Sequence, residues 1–383
     1  YEEGKTDTRL QLCRKRAAEV HAPVLYVNQV GGQDDLVFDG GSFAVDADGT
    51  LLARSPMFVE DLTFLDIDTK AGKQQVGSVV DVLDADQPVS PACVLGLTAY
   101  LVKNGFTGVC LGLSGGIDSA LVAAMAADAI GGEHVQGISM PSMYSSSGSK
   151  DDAAQLAENL GAKYDVQAIE PLFNAFQNQL HLEGVSAENL QARIRGVIVM
   201  AYSNSDGLLA LATGNKSELA CGYSTIYGDA VGGYAPIKDL FKTKVWQLAR
   251  WRNQALKNGI GIGGLPIVGN DAGSAGITPK SGEIIPNNSI TKAPSAELRP
   301  GQKDSDSLPE YALLDQVLAA YIEHAEGRAD LLADGFDEQT VDTVMRLVDR
   351  AEWKRRQYPL GPKVSALAFG RDRRLPVSDA FRE

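Results

Sequence analysis

The stretch that decides the fold is a glycine-rich turn, which reads Leu111-Gly112-Leu113-Ser114-Gly115-Gly116-Ile117-Asp118-Ser119. The apolar run Thr107 to Leu111 predicts a buried strand before the turn, and residues 118–130 predict a helix after it. Glycines allow the backbone to approach a phosphate closely, and a helix N-terminus offers unpaired N–H donors. Ser114 and Ser119 add hydroxyl donors. The turn therefore predicts a phosphate-binding loop, with a plain glycine turn as the alternative.

Asp118 indicates which chemistry the loop serves. A carboxylate beside phosphates is repulsive unless a divalent cation lies between them, and Mg²⁺ bridges carboxylate and phosphate oxygens in this way. The loop lacks the Gly-Lys-Ser/Thr ending of a Walker A loop. We therefore predict a phosphate-binding site with Mg²⁺ at Asp118. In the alternative, Asp118 is only a favourable negative charge in the first turn of the helix.

Strand-like and helix-like runs alternate from residue 90 to residue 212. The strand-like runs fall at 107–111, 135–140, 164–169 and 208–212, and helix-like runs resume later at 309–326 and 338–357. This alternation predicts an α/β fold with a doubly wound parallel sheet. Ligands bind at the carboxyl ends of the strands in such sheets. The glycine-rich turn and Thr213-Gly214 both follow a strand directly, so we expect them at one edge.

The residues before position 90 have a different pattern. A helical run near Cys13 is followed by short strand-like runs and hairpin turns, which form a β-rich piece too short for a whole domain of its kind. Residues 68–89 are polar and lack periodicity, which is typical of a linker. The first residue is Tyr1, which suggests a fragment, a processed form or an omitted upstream part. We therefore predict a partial domain at 1–67, a linker at 68–89 and a domain at 90–383.

The composition argues against several classes of function. The net charge of −14 does not suit general binding to nucleic acid or to anionic membranes. No apolar run reaches the roughly 18 residues that a membrane span needs. The four cysteines and four histidines show no metal-ligand spacing, which predicts reduced thiols and a cytoplasmic protein.

The string from Ser114 to Ser119 resembles the pyrophosphate-binding loop of the N-type ATP pyrophosphatases, whose fold is the adenine nucleotide alpha-hydrolase-like one. These enzymes cleave ATP to AMP and pyrophosphate. Further segments resemble NAD synthetase and occur in the family's order, at 141–146, 188–195, 213–218, 222–229 and 292–298. Residues 1–65 resemble the C-terminal end of the nitrilase-type glutaminase domain of the glutamine-dependent form.

The resemblance implies an activity and partners. In that family the carboxylate of nicotinic acid adenine dinucleotide attacks the α-phosphate of ATP, and ammonia then displaces AMP from the acyl-adenylate. The ammonia comes from glutamine or from free ammonium, and the family's enzymes are homo-oligomers. Two alternatives stay open: a GMP synthetase-like amidotransferase of the same class, and a non-catalytic adenine-nucleotide-binding module.

The resemblance also assigns residues to the ATP and metal sites. Thr213 matches an ATP-contacting threonine, so the predicted ATP site comprises Leu113, Ser114, Gly115, Gly116, Ile117, Asp118, Ser119 and Thr213. Lys216 and Lys242 are candidates for neutralising phosphate charge, although a surface lysine is the alternative for each. Together with Asp118 they form the predicted catalytic set. Asp118, Glu218 and Asp229 are the predicted Mg²⁺ ligands.

The remaining site residues are predicted to bind the dinucleotide. Asn189 and Arg193 lie four residues apart and therefore share a helix face, and the fork of Arg193 suits a phosphate or a carboxylate. In the alternative, Arg193 is an exposed arginine paired with Glu188. By resemblance the predicted dinucleotide site comprises Asn189, Arg193, Glu218, Tyr223 and Lys354.

Two further expectations concern what surrounds the site. The loops at 141–150 and 259–305 are predicted to act as lids that keep water from a reactive adenylate. The family's glutaminase uses a Cys-Glu-Lys catalytic set, which this sequence does not reveal. Cys13 lies in a helical run beside Leu10 and Leu12, so we predict that it packs and does not act as the nucleophile.

Overall fold

A parallel sheet forms the centre of the molecule. The computed structural model describes residues 1–68, 73–81, 89–257 and 282–378. The sheet has four strands: β6 (Val109–Gly112), β7 (Val135–Ser139), β8 (Lys163–Val166) and β9 (Leu209–Ala210). Their order is β8-β7-β6-β9, and all pairings are parallel. The predicted doubly wound α/β fold is confirmed.

Helices cover both faces of this sheet. They are α2 (Val89–Asn104), α3 (Ile117–Ile130), α4 (Ser147–Leu160), α5 (Glu170–Leu180) and α6 (Val185–Asp206). Side chains along β6 alternate between the two faces of the sheet. Val109 and Leu111 pack into the core with α2 and α3. Cys110 lies between them and packs with Val199 of α6 on the opposite face.

A second core lies beyond the end of β9. The helices that follow β9 are α7 (Lys216–Cys221), α8 (Lys242–Lys257), α9 (Asn287–Thr291), α10 (Tyr311–Leu318), α11 (Arg328–Ala333), α12 (Glu338–Arg350) and α13 (Glu352–Arg355), of which α8 and α9 pack into the core of the parallel sheet. Apolar residues of α7, α10, α11 and α12 form the second core. The run at 338–357, which the sequence predicts as one helix, is two helices, because Ala351 ends α12 before α13 begins.

The N-terminal segment packs against the rest of the molecule. It contains α1 (Lys5–Val20), β1 (Val24–Tyr26), β2 (Val30–Gln33), β3 (Leu36–Asp39), β4 (Phe43–Val45) and β5 (Leu51–Arg54). Strands β1, β4 and β5 form one antiparallel sheet, and β2 pairs with β3. Cys13 packs beside the small core of Leu10 and Phe43, as predicted.

The predicted linker is partly ordered. The Gly77 N–H donates to the Leu52 carbonyl at 2.7 Å, and the Val80 N–H donates to the Arg54 carbonyl at 3.1 Å. Residues 77–80 therefore extend the sheet beside β5. The domain boundaries at 67 and 90 stay predictions. In the described part of the chain, no helix is long and apolar enough to cross a membrane.

Candidate active site

The phosphate-binding loop connects β6 to α3, and its serines fix its shape. The Ser114 hydroxyl accepts a hydrogen bond from the Gly116 N–H at 3.1 Å, and the Ser119 hydroxyl donates to the Gly116 carbonyl at 3.1 Å. Within the described part of the chain, no side chain caps the N-terminus of α3. The first turn of α3 is therefore free of a side-chain acceptor and can serve an anion.

Gly115 is required by the backbone. Its φ is +74°, and a Cβ atom there would lie 2.2 Å from the carbonyl oxygen of Ser149 at the start of α4. Only glycine accepts both constraints without rearrangement. The loop therefore packs closely against the N-terminal turn of α4.

Three helices bring charged side chains together behind the loop. Asp118 of α3 accepts a hydrogen bond from the Asn215 amide at 2.8 Å, and its other oxygen pairs with Lys242 at the start of α8. The Lys242 ammonium also lies 3.4 Å from a carboxylate oxygen of Glu218 on α7. Asn215 caps α7 and exchanges hydrogen bonds with Glu218, so it links two of the helices. We call Asp118, Glu218 and Lys242 the acidic–basic cluster.

The cluster carries more negative than positive charge, and this affects its pKa values. Burial raises the pKa of Glu218 to about 8, the Asp118 carboxylate adds to the rise, and Lys242 opposes it. Burial alone would lower the pKa of the Lys242 ammonium, but Asp118 and Glu218 outweigh burial and raise it. Lys242 is therefore charged, and the pair of carboxylates favours a further cation.

The acidic–basic cluster fits the donor chemistry of Mg²⁺. Asp118 and Glu218 are oxygen donors, and each side chain is 18% exposed beside the loop. Mg²⁺ is commonly held by one or two carboxylates, with phosphate oxygens and water as the other ligands. Within the described residues there is no group of three histidine, cysteine, aspartate or glutamate side chains placed to hold a metal. Two carboxylates plus phosphates therefore suit this site better than an all-protein metal site.

Lys216 lies apart from the acidic–basic cluster. Its ammonium contacts Asp239 at 2.9 Å, Glu323 at 2.6 Å and the Ser365 hydroxyl at 2.6 Å, and its side chain is fully buried. These partners bind the ammonium on the side of α7 that lies against residues 363–367. The structure does not bring Lys216 to the loop, although it follows Thr213 by only three residues.

The predicted dinucleotide-binding residues meet around the loop at 222–229. Asn189 accepts a hydrogen bond from the Thr225 hydroxyl at 2.8 Å, and Arg193 donates to the Ile226 carbonyl at 3.2 Å. Lys354 of α13 donates to the carbonyls of Gly222 and Ser224, both at 2.7 Å. A cleft of about 210 Å³ adjoins this loop, with Tyr227, Val231, Lys354 and Gln357 among its lining residues.

Asp229 and Tyr223 have partners outside the acidic–basic cluster. Asp229 accepts the Thr225 N–H at 2.8 Å, so the structure does not join it to the other two predicted Mg²⁺ ligands. Burial raises the pKa of the Tyr223 hydroxyl, and the nearby Asp304 carboxylate raises it further. Thr213 is partly buried after β9 at the same edge as the loop.

Sequence reasoning missed several residues of the site. Asp304 is buried and accepts from the Tyr311 hydroxyl at 3.0 Å, and its other oxygen has no hydrogen-bond partner among the residues that the structure describes. Arg195 donates to the carbonyl of Met140 just after β7, and burial lowers the pKa of its guanidinium to about 10. Only the motif at 188–195 signals Arg195, and nothing local signals that Asp304 folds back on Tyr311.

The predicted lid segments contact each other. Glu297 accepts hydrogen bonds from Ser146 at 3.1 Å and from Ser149 at 2.8 Å, and Lys292 donates to the Ser149 hydroxyl at 3.1 Å. Both segments therefore meet at the start of α4. Gly115 of the phosphate-binding loop packs against the same turn. Residues 259–281 of the predicted lid at 259–305 lie outside the described residues.

Fold and site together define an α/β enzyme that binds a nucleotide through a Ser-Gly-Gly loop and an acidic–basic cluster. The family model for NAD synthase matches residues 89–358, and the model for carbon-nitrogen hydrolase matches residues 4–74. The chain belongs to the NAD synthase family. Both resemblances found in the sequence are thereby confirmed.

Individual relatives agree with this assignment. The glutamine-dependent NAD(+) synthetase of Acinetobacter baylyi is 43% identical over 388 residues, covering 100% of this chain and 67% of the relative. That of Xanthomonas campestris pv. campestris is 46% identical over 391 residues, covering 100% and 66%. The chain spans about two thirds of the length of these curated relatives.

Solved structures support the same fold. The glutamine-dependent NAD+ synthetase from Acinetobacter baumannii, in complex with ADP, matches with a TM-score of 0.68 at 41% identity, covering 98% of this chain and 66% of that one. The enzyme from Cytophaga hutchinsonii matches with a TM-score of 0.77 at 20% identity, covering 99% and 67%. The second likeness supports the fold alone.

Proposed function

We propose that this chain catalyses the ATP-dependent amidation of nicotinic acid adenine dinucleotide to NAD through an acyl-adenylate, with release of AMP and pyrophosphate. The observation that carries the proposal is the convergence of Asp118, Glu218 and Lys242 behind the loop between β6 and α3. The relatives named above as glutamine-dependent NAD(+) synthetases support the choice of substrate.

ATP lies with its phosphates on the loop. The backbone from Leu113 to Ser119, with the hydroxyls of Ser114 and Ser119, supplies the donors. Thr213 lies at the same edge and completes the proposed ATP site. The complex of the Acinetobacter baumannii relative with ADP supports nucleotide binding by this fold.

Charge neutralisation is the main contribution of the acidic–basic cluster. Asp118 and Glu218 would hold Mg²⁺, which supplies positive charge to the departing pyrophosphate when it is bound. Lys242 adds a fixed positive charge that the protein places in advance, so little reorganisation is needed as the α-phosphate is attacked. Lys216 has no part in this step, because its ammonium is committed to Asp239, Glu323 and Ser365.

The dinucleotide binds beside the loop at 222–229. Asn189 and Arg193 project from α6 toward this loop, and Lys354 holds it from the other side. The adjoining cleft of about 210 Å³ is large enough for part of a dinucleotide, and binding there would place the nicotinate carboxylate toward the ATP phosphates. Tyr223 and Asp229 shape the same wall.

The second half-reaction is attack of ammonia on the adenylate. The ammonia nitrogen displaces AMP from the mixed anhydride, which forms the amide bond of NAD. Contacts of Glu297 with Ser146 and Ser149 bring residues 292–298 against the start of α4, where they exclude water from the adenylate.

The ammonia comes from glutamine or from free ammonium. Residues 4–74 match the carbon-nitrogen hydrolase model, and the relatives' names state glutamine dependence. The described N-terminal residues form only α1 and two small sheets, and Cys13 packs in their core. We propose that 1–67 belongs to the glutaminase part, 68–89 connects it, and 90–383 forms the synthetase domain.

We also propose that the enzyme is cytoplasmic and forms a homo-oligomer. Helix α5 buries none of its residues, although Leu172, Phe176 and Leu180 lie four residues apart on one face. They are 44%, 47% and 52% exposed. A second copy of the chain is the occupant that the family resemblance implies. Phe176→Glu should yield a smaller species by light scattering, and Val102→Glu on α2 should not.

The deciding experiment is pyrophosphate release with ATP, Mg²⁺ and nicotinic acid adenine dinucleotide, run with ammonium and separately with glutamine. We expect NAD and pyrophosphate in a one-to-one ratio with ammonium. Activity with xanthosine monophosphate in place of the dinucleotide would favour the GMP synthetase-like alternative. Folded protein that binds ATP without releasing pyrophosphate would favour a binding module and contradict the proposal.

A further inference from the structure

A buried hydrogen-bonded bridge joins the N-terminal turns of α7 and α8. The Lys242 N–H donates to the Ser217 hydroxyl at 2.9 Å, and that hydroxyl donates to one oxygen of Asp315. The other oxygen of Asp315 accepts the Thr243 N–H at 2.8 Å. Ser217 is fully buried and Asp315 is 5% exposed. One carboxylate of α10 therefore holds the backbone of α8 and a side chain of α7.

The bridge lies next to two members of the acidic–basic cluster. Ser217 precedes Glu218 in the chain, and the two N–H groups that the bridge binds belong to Lys242 and Thr243. Helix α10 also supplies Tyr311, one turn before Asp315, and the centre of its ring lies 5.3 Å from the Lys242 ammonium. The same helix therefore sets the backbone position of Lys242 and packs an aromatic ring beside its side chain.

We propose that Ser217 and Asp315 are positioning residues for adenylation, because they fix the Lys242 ammonium relative to Asp118 and Glu218. This inference rests on the proposed function. Stabilisation of developing charge depends on groups held to within about 0.5 Å of their place. Lys242 is anchored at a helix N-terminus, where the first N–H groups have no partner within the helix. The bridge gives two of them partners and removes the freedom of that turn.

A purely structural helix cap makes a different prediction. Loss of a cap lowers stability and leaves turnover per folded molecule unchanged. Loss of a positioning contact lowers kcat per folded molecule and leaves KM for ATP nearly unchanged, because the Lys242 ammonium is no longer held where charge develops in the transition state.

The test compares Ser217→Ala with Ser55→Ala. Ser55 is a matched control, because it is a buried serine (9% exposed) whose hydroxyl is hydrogen-bonded to Thr63 at 2.7 Å in the N-terminal segment, away from the acidic–basic cluster. We expect kcat for pyrophosphate release to fall about 10- to 100-fold in Ser217→Ala, with KM for ATP within about threefold of the wild-type value. The control should keep the wild-type kcat. Equal kcat per folded molecule in the two variants would overturn the inference.

Two additions keep the test decisive. Asp315→Asn keeps the shape of the side chain and one acceptor, so it should also lower kcat at a nearly unchanged KM for ATP if Ser217→Ala does not fold. The affinity for Mg²⁺·ATP, measured by calorimetry, needs no turnover and should stay within about threefold of the wild-type value; a much larger loss would show that the bridge supports ATP binding and would count against the inference. An inactive wild-type protein would defeat the proposed function, whereas an unchanged kcat per folded molecule in Ser217→Ala beside an active wild type would defeat the positioning role.

Discussion

Two buried lysines on neighbouring helices have different surroundings, and the difference separates the site from the scaffold. Lys216 is enclosed by Asp239, Glu323 and Ser365, and the Asp239 side chain is only 2% exposed. Lys242 is paired with Asp118 and Glu218, whose side chains are each 18% exposed beside the loop. Burial of an ammonium therefore does not identify a functional lysine, and the exposure of its partners does not either, because Glu323 is also 18% exposed. The position of the partners does, because Asp118 lies in the first turn of α3, directly after the phosphate-binding loop.

The largest effect should follow from the aspartate partners of the two lysines. Asp118→Asn should lower pyrophosphate release at least about 10³-fold while the fold is kept, because a carboxylate for Mg²⁺ and a partner of Lys242 are lost. Asp239→Asn should instead lower stability, because Lys216 loses a buried partner. Initial rates and thermal unfolding of both variants check this. Near-normal activity in a well-folded Asp118→Asn protein would remove Asp118 from the mechanism.

Substitution of the lysines themselves should affect different properties: turnover for Lys242 and stability for Lys216. Lys242→Met should lower kcat about 10²- to 10³-fold, since a fixed charge near the pyrophosphate is lost. Lys216→Met should cost about 3–5 kcal/mol of unfolding free energy, because the buried Asp239 is left unpaired, with kcat per folded molecule unchanged. Urea titrations with assays normalised to folded protein measure both. A loss of turnover in soluble, folded Lys216→Met would contradict the contrast drawn above.

These lysines also show how far sequence reasoning reaches. The apolar run before Gly112 and the glycines after it predict a strand, a turn and a helix, because local periodicity and backbone freedom determine all three. Asp118 is predicted to be in the site because it belongs to that local unit. Lys216 and Glu218 lie two residues apart in a short helix, and no local pattern says which of them turns toward the loop. Contacts with residues such as Asp239 and Ser365, far along the chain, decide this.

Sequence reasoning missed other residues for the same reason, which is that contacts far along the chain place them. Asp315 and Asp304 join the site only because α10 packs against α7 and α8. Their burial depends on tertiary contacts that no spacing reveals. Ala351 also ends α12 within a run that looks continuous, since helix propensity says little about where packing changes direction.

Gly115 and Gly161 allow a sharper test of the loop. Both have positive φ, at +74° and +65°, but a Cβ atom at Gly161 would meet nothing within 4 Å. Gly161→Ala should therefore show only the backbone cost of about 1 kcal/mol. Gly115→Ala should also weaken ATP binding about 10- to 100-fold, because the Ser149 carbonyl forces the loop to move. Calorimetric titration with Mg²⁺·ATP distinguishes the two, and equal affinity in both variants would show that the loop tolerates displacement.

The smallest effect concerns the carboxylates that pair with the two lysines. Glu218 has a folded-state pKa of about 8, above its unfolded value, so the folded protein binds a proton more tightly and should lose stability as pH rises toward 8. A cation must displace that proton, so Mg²⁺·ATP affinity should rise about tenfold between pH 7 and 9. Glu218→Gln should flatten this dependence, whereas Glu323→Gln beside Lys216 should leave it intact. An equal slope in wild type and Glu218→Gln would show that Glu218 does not titrate with cation binding, and the distinction between the two lysines would then rest on Asp118 alone.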